Sequence, residues 1–561
     1  MVTREHALSS IASDRFDVVV VGGGITGAGV ALDAASRGYS VALVERRDYA
    51  AGTSSRSSKL VHGGLRYLQR FDVGLVREAL LERQLLVSLA PHLVRPLKMV
   101  VPAFAGARPD RLVGVGLNMY DALALDRRRR PRMRRRRANG NGEAEEWSPD
   151  RHRTIGGEDV VELIPALAER HPTSGYLFYD CQTDDARLVL TVLGEAERFG
   201  AVSANRLHVA ELVPGGVRAR DLESGEELMI RADNVINAAG VWADRIRGEE
   251  LHDEAEVPVI RPSRGTHVTL SAADLPMRAG AIVPAAGGRT IFALPWLGRT
   301  LVGTTDNDYE GDIDHVRPAT DDVDYLLEAV NAFFQRDLGP GDLTGAYAGV
   351  RPLIAAVDSK KSVDISRKAE LYETSSGMIT ITGGKLTTFR RMAKLAVDRL
   401  VEREGREASC RTQDIPLGMA VAAADLPRVE GVPEDAYAQL ADRYGYAARD
   451  VLELARERRE LAQPVVEGRP DLLAEVAFAA RREQARTVGD VLLRRTRVGV
   501  LAARDLVRED GTTTAPVARA ARTLGYELGW GEAGVQHGVS GFAEEGAAEG
   551  ILVGTSIGVQ P

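Results

Sequence analysis

Two glycine loops carry the residues whose types and spacing could do chemistry. The first reads Gly22-Gly23-Gly24-Ile25-Thr26-Gly27. Its Gly22-x-Gly24-x-x-Gly27 spacing suits a dinucleotide. Gly22 allows a tight turn, Gly24 lets backbone approach a pyrophosphate, and Gly27 lets a helix pack close to a strand. Ile25 and Thr26 begin that helix, whose first N–H groups face the phosphates. Glu45 ends the next strand. It can accept hydrogen bonds from both hydroxyls of an adenosine ribose, and its charge disfavours a 2′-phosphate. The second loop, Thr382-Gly383-Gly384-Lys385-Leu386-Thr387-Thr388, also precedes a helix. It offers N–H groups and helix-dipole charge to an anion, with Lys385 as a cationic ligand. It lacks the four-residue spacer between glycines that marks a P-loop.

Three further segments add polar groups. Ser54-Ser55-Arg56-Ser57-Ser58-Lys59 runs into Leu60-Val61-His62-Gly63-Gly64-Leu65-Arg66-Tyr67. Ser54, Ser55, Ser58 and Lys59 are expected at the cofactor, with His62, Arg66 and Tyr67 over its pyrophosphate and ring. Asn237-Ala238-Ala239-Gly240-Val241-Trp242 ends a strand and opens a helix. Small residues there let backbone approach a nucleotide, so Gly240 and Trp242 join the cofactor contacts. Gly349-Val350-Arg351-Pro352-Leu353 holds one arginine between a strand and a proline-fixed turn.

The elements that must position these residues follow from patterning. Asp17 and four valines form a strand, an alanine-rich helix follows to Arg37, and Val41–Val44 form the second strand of a βαβ unit. Residues 76–100 and 186–199 read as amphipathic helices. Residues 206–236 read as a β-meander, and 257–305 as strand-rich. Strands at 345–350 and 378–382 lead into a helix from Thr387 to about Val401. After about 405 the texture is helical. The nucleotide fold is therefore split, with a mostly antiparallel domain threaded into it. By analogy of fold, this favours a flavin over a nicotinamide. The expected architecture is α/β: a split Rossmann-like FAD-binding domain, an inserted antiparallel β-rich substrate domain and a C-terminal helical domain; its first loop and inserted sheet resemble the wider D-amino-acid-oxidase-like flavoproteins. The FAD-binding segments are set at about 14–75, 155–245 and 345–400. The substrate domain takes about 76–154 and 246–344, and the helical domain 405–528. The Gly-, Ala- and Glu-rich tail 529–561 is expected to be mobile.

Composition bounds the function. The chain has 561 residues, enough for two or three domains. A net charge of −8 argues against generic nucleic-acid binding. Two cysteines, Cys181 and Cys410, point to a reducing compartment and are too few for a thiolate metal site. No metal is expected. No secretory signal or transmembrane run is apparent, so a cytoplasmic protein is expected, either soluble or peripheral on the inner face of a membrane. Nine arginines between Arg127 and Arg137 form a solvated loop. They could meet anionic lipid. A nucleic-acid role for them is disfavoured by the acidic chain and the lack of interleaved aromatics.

The chain resembles FAD-dependent, respiratory glycerol-3-phosphate dehydrogenases. The resemblance rests on DVVVVGGGITGAGVALDAASRG, SSRSSKLVHGGLRYL, GVRPL, ITGGKLTTFRRMA and DVLLRRTRVG, spread over residues 14–525. It implies oxidation of sn-glycerol 3-phosphate to dihydroxyacetone phosphate, with hydride passing from C2 to flavin N5 and electrons onward to a membrane quinone. A homodimer is expected. Arg66, Arg351 and Lys385 supply cations for a phosphate dianion, with Tyr67 adding a hydroxyl. His62 and His267 are the two candidates for the base, and Arg351 could instead stabilise the developing alkoxide. A glycerol-3-phosphate oxidase or an amine or amino-acid oxidase on the same fold is the alternative.

Overall fold

The strand Arg15–Val21 owes its place to its valines: Val18, Val19 and Val20 have no exposed surface. A strand apolar on both faces belongs at the centre of a parallel sheet covered by helices. In the computed structural model, which describes residues 1–65, 72–104, 111–125, 151–247, 260–354 and 369–553, that is where it lies. It pairs in parallel with Val41–Val44 on one side and Glu227–Asn237 on the other. Ile379–Gly383 and Val202–Ala204 extend the parallel set outward. Ala369–Glu373, Gly216–Asp221 and Leu207–Val213 complete eight strands in antiparallel pairing. Helices Ile25–Ser36, Asp185–Arg198 and Phe389–Glu404 pack on this sheet around one apolar core.

A second sheet of ten strands is antiparallel except where Gly280–Ala285 meets Arg95–Ala103. Its longest pairing joins Ile260–Ser271 to Leu343–Ile354. Two expected groupings are corrected by this sheet. Ser174–Gln182 and all but the first two residues of Leu343–Ile354 fall within the expected nucleotide-binding segments, yet both strands lie in the ten-stranded sheet. The chain therefore crosses between sheets more often than composition reveals.

The C-terminal helices enclose a separate apolar core. The expected mobile tail is also corrected. Glu532–Glu549 form a helix with Phe542 buried in that core. Beyond it, Ala346 N–H donates to the Ile551 carbonyl at 3.0 Å, tying the tail to the substrate sheet. Glu549 forms ion pairs with Arg56 and, at 3.6 Å, Arg47. The composition was misleading because the contacts that fix the tail lie hundreds of residues away. Arg66, Tyr67, the arginine run 127–137 and residues 554–561 lie outside the described residues.

Candidate active site

The first glycine loop is built by steric exclusion. Gly22 has φ +113°, and a Cβ there would lie 2.7 Å from the Ala238 carbonyl oxygen. A Cβ on Gly27 would lie 1.8 Å from the Gly22 carbonyl oxygen, so any larger residue would push the helix off the strand. Gly24 occupies the N-cap without a side chain, and Ile25 N–H donates instead to Ser54 Oγ at 3.0 Å. Glu45 accepts from Gly23 N–H and Arg47 N–H, each at 2.7 Å. Burial raises the Glu45 pKa, and those two N–H groups oppose the rise. Each carboxylate oxygen keeps acceptor capacity for a ribose hydroxyl.

The loop forms one wall of a cleft. Gly22, Gly24, Ile25, Thr26, Glu45 and Ser54 line this side. Gly240 and Trp242 line another, and the Trp242 indole donates to Asp314 at 2.6 Å. Gly383, Gly384, Lys385 and Leu386 close the far end, with both glycines in the left-handed region at φ +76° and +66°. Thr382 Oγ1 donates to the Gly240 carbonyl at 3.1 Å, so the second loop is fastened to the strand-to-helix turn. Arg46, Arg47, Thr53, His208, Arg245 and Pro352 also line the cleft and were not singled out from sequence. The Arg46-Arg47 pair directly after Glu45 was the available signal.

Five sequence-expected cofactor contacts, Gly27, Ser55, Ser58, Lys59 and Thr387, do not line the cleft. Gly27 acts through packing. Thr387 is buried and accepts from His62 N–H at 3.1 Å, donating back to the His62 carbonyl at 3.3 Å. That exchange sets His62, half-buried, against the second glycine loop. Ser55 uses its carbonyl, which accepts from Lys59 Nζ at 2.6 Å. Lys59 is fully buried, and its ammonium contacts both oxygens of Asp185 at 2.9 Å. Burial, aided by Arg497, pushes the Lys59 amine down to about 7. A cation so enclosed anchors the loop and does not face the cleft.

Ser58 leads to a second cluster. Its Oγ lies 2.8 Å from His267 Nε2. The His267 ring stacks on Tyr347 at 4.9 Å between centroids, and Tyr347 OH donates to the Ser57 carbonyl at 2.7 Å. His267 Nδ1 is buried with no hydrogen-bond partner among the described residues. Burial, then Lys59 and Arg351, hold the imidazole well below its usual pKa. It is therefore neutral near pH 7 and able to accept a proton. Arg351, partly exposed, donates to Thr304 Oγ1 at 3.0 Å and the Thr305 carbonyl at 3.1 Å, and pairs with Asp306 at 3.3 Å. The next residue, Pro352, lines the cleft. The chain thus sets a neutral imidazole and a guanidinium beside the cleft that the two glycine loops line.

Comparison with known proteins agrees. Residues 17–399 match the family described as FAD dependent oxidoreductase. Residues 410–534 match the C-terminal domain of alpha-glycerophosphate oxidase. Glycerol-3-phosphate dehydrogenase 2 of Mycobacterium tuberculosis is 35% identical, covering 97% of this chain and 90% of its own length. The aerobic glycerol-3-phosphate dehydrogenase of Bacillus subtilis is 33% identical, covering 88% of this chain and 89% of its own. The crystal structure of the glycerol-3-phosphate dehydrogenase from Bacillus halodurans, complexed with FAD, superposes with a TM-score of 0.75 at 28% identity, over 98% of both chains. The glycine spacing, the open helix N-terminus and Glu45 all fit FAD, and the chain belongs to the FAD-dependent glycerol-3-phosphate dehydrogenase family.

Proposed function

We propose that the chain oxidises sn-glycerol 3-phosphate to dihydroxyacetone phosphate at the junction of the cleft and the His267–Arg351 cluster. The observation that carries this reading is the union of two glycine loops in one cleft, with Lys385 on its wall and Pro352 linking it to Arg351. FAD bound there supplies the two-electron acceptor. The chain's own residues handle charge and the proton. The substrate is a dianion, and guanidinium and ammonium groups bind phosphate through charge-assisted hydrogen bonds. Lys385 and Arg351 are the described candidates, with Arg66 and Tyr67 from the sequence. His267 or His62 takes the C2 hydroxyl proton. His267 is the better-placed candidate because it is neutral near pH 7, although burial and the cations around it make its imidazolium harder to form. If Arg351 faces the hydroxyl, it stabilises the alkoxide as the proton leaves.

Electrons then pass to a membrane quinone. Among the described residues no helix is long and apolar enough to cross a membrane, so contact would be peripheral. The arginines at 127–137 suit anionic lipid. We also propose a homodimer, to be read from its mass in solution. The C-terminal match to an oxidase domain favours oxygen as the second reading of the acceptor. The test is the visible spectrum of the purified protein. The flavin should bleach on anaerobic addition of sn-glycerol 3-phosphate, and acid should release all colour. A colourless protein, or a flavin indifferent to the substrate, defeats the reading. Stoichiometric hydrogen peroxide in air assigns oxygen as acceptor.

A further inference from the structure

The stretch DVLLRRTRVG at 490–499 belongs to the C-terminal domain, yet its arginines leave that domain. Arg494 and Arg495 both pair with Asp48, three residues past Glu45. Arg497 reaches further. It is fully buried in a left-handed backbone conformation, φ +67°, which costs a non-glycine residue free energy. Its guanidinium donates to the Ser55 carbonyl at 3.0 Å and to the Asp185 carboxylate. Asp184 lies 3.1 Å from its Nε. Lys59, also left-handed at φ +60°, arrives at the same two acceptors from the other side. Asp185 further accepts from Ser57 N–H at 3.0 Å and Ser57 Oγ at 2.7 Å. One carboxylate thus gathers Ser57, Lys59 and Arg497, and the loop it fixes places Ser58 Oγ on His267 Nε2.

We propose that Arg497 is a positioning residue for His267, acting through Asp185 and the 55–59 loop that carries Ser58. This rests on the reading of His267 as the proton acceptor. Two strained cations on one buried carboxylate are more than the packing of two domains requires. Burying them costs desolvation that apolar residues would avoid. What the arrangement secures is the register of a short loop whose next polar atom touches the imidazole. The charged groups around His267 are Lys59 and Arg351, with Asp185, Asp184 and Arg497 behind Lys59 and Asp306 behind Arg351. The charges that shift His267 are Lys59 and Arg351, so Arg497 works by geometry more than by field. A displacement of about 1 Å at a reacting group costs up to about a hundred-fold in rate.

The test is a double-mutant cycle on the FAD-loaded enzyme, pairing Arg497→Met with Ser58→Ala. Each single change should lower kcat about ten-fold or more while KM stays within about two-fold. The double variant should be no worse than the poorer single variant by more than about two-fold, because both act on one contact. Losses that multiply, or an unchanged kcat in Arg497→Met, overturn the proposal. Hydrogen exchange gives a readout independent of activity: the peptide 54–60 should exchange faster in Arg497→Met while peptides 434–444 and 473–483 keep the parent rate. Unchanged exchange at 54–60 overturns it. If Arg497→Met does not fold, Arg497→Lys carries the same cycle, and its kcat should lie between parent and Ser58→Ala. His267→Asn is measured alongside. A full kcat there defeats both the proton-acceptor reading and this proposal. An inactive His267→Asn with a multiplicative cycle defeats only the role of Arg497.

Discussion

The wall that receives the dinucleotide and the cluster that receives the substrate are held in different ways. The first is mostly backbone. Gly22, Gly27, Gly383 and Gly384 shape it through positive φ or the absence of a Cβ, even where the segments that meet are distant in sequence. The second is made of side chains brought from afar. His267 meets Ser58 across 209 residues, and Lys59 meets Asp185 across 126. Backbone shape tolerates no added volume but is indifferent to charge. A buried polar cluster tolerates modest changes of shape but fails when one partner is removed, because the other is left unsatisfied. The binding of cofactor and the chemistry on substrate should therefore fail separately.

The largest effect should follow from Gly27→Val. A Cβ 1.8 Å from a carbonyl oxygen has nowhere to go, so soluble protein should carry no flavin absorbance. Recovery of yellow protein at the parent ratio would break the distinction at its strongest point. Arg351→Ala comes next. Removing a charge-assisted contact costs about 1.5–3 kcal/mol, roughly ten- to a hundred-fold in kcat/KM, with flavin content unchanged. If Arg351 holds the phosphate, the loss should shrink when glycerol replaces its phosphate ester. An equal loss on both substrates would move Arg351 to the hydroxyl.

Glu45→Gln sharpens the comparison from the other side. The amide keeps one acceptor oxygen, but its NH2 must face one of the two N–H donors now bonded to the carboxylate. FAD should bind about ten-fold more weakly, as measured by titration of apoprotein, while kcat at saturating FAD stays at the parent value. The smallest effect is a displacement of the pH profile. His267 is held neutral in the fold, so the acid limb of kcat that it governs should lie below the ordinary histidine value of 6.5. The sign for stability agrees. A histidine whose folded pKa is depressed leaves the unfolded state binding more protons below pH 6.5, so folding stability should fall as pH drops. In His267→Asn that part of the stability slope should vanish in urea titrations at pH 5 and 7.

What the sequence made legible follows the same division. Gly22, Gly24 and Glu45 lie within one βαβ unit with Gly27, so spacing alone placed the three on the cleft and Gly27 in the packing behind it. Gly240, Trp242, Gly383, Gly384, Lys385 and Leu386 were legible because small residues at strand ends mark close approach. Lys59 was misplaced because its partner Asp185 is distant and a lysine among serines looks like a surface group. Ser174–Gln182 and Leu343–Ile354 were grouped with the wrong sheet, since strand patterning does not say which edge a strand joins. The helix at Glu532–Glu549 was missed because glycine and alanine there serve close packing against Trp530 and Ile551, which composition reads as looseness.

The seat of Glu549 has a consequence for how the protein is made. Its carboxylate is held far below the usual range, burial notwithstanding, by Arg56, His315 and Arg47. Arg47 lines the cleft, and Arg56 follows Ser55 in the loop beside it. Those two arginines leave the ribosome early and their acidic partner leaves nearly five hundred residues later. At about 5–20 residues per second, roughly 25–100 s separate them. Through that interval Arg47 and Arg56 lack this carboxylate, and the cleft they border is complete only once Leu386 has followed them. An early-arriving dinucleotide, with its own phosphates, is a natural stand-in for the missing carboxylate, so flavin supply during translation should influence how much of the chain reaches its finished form.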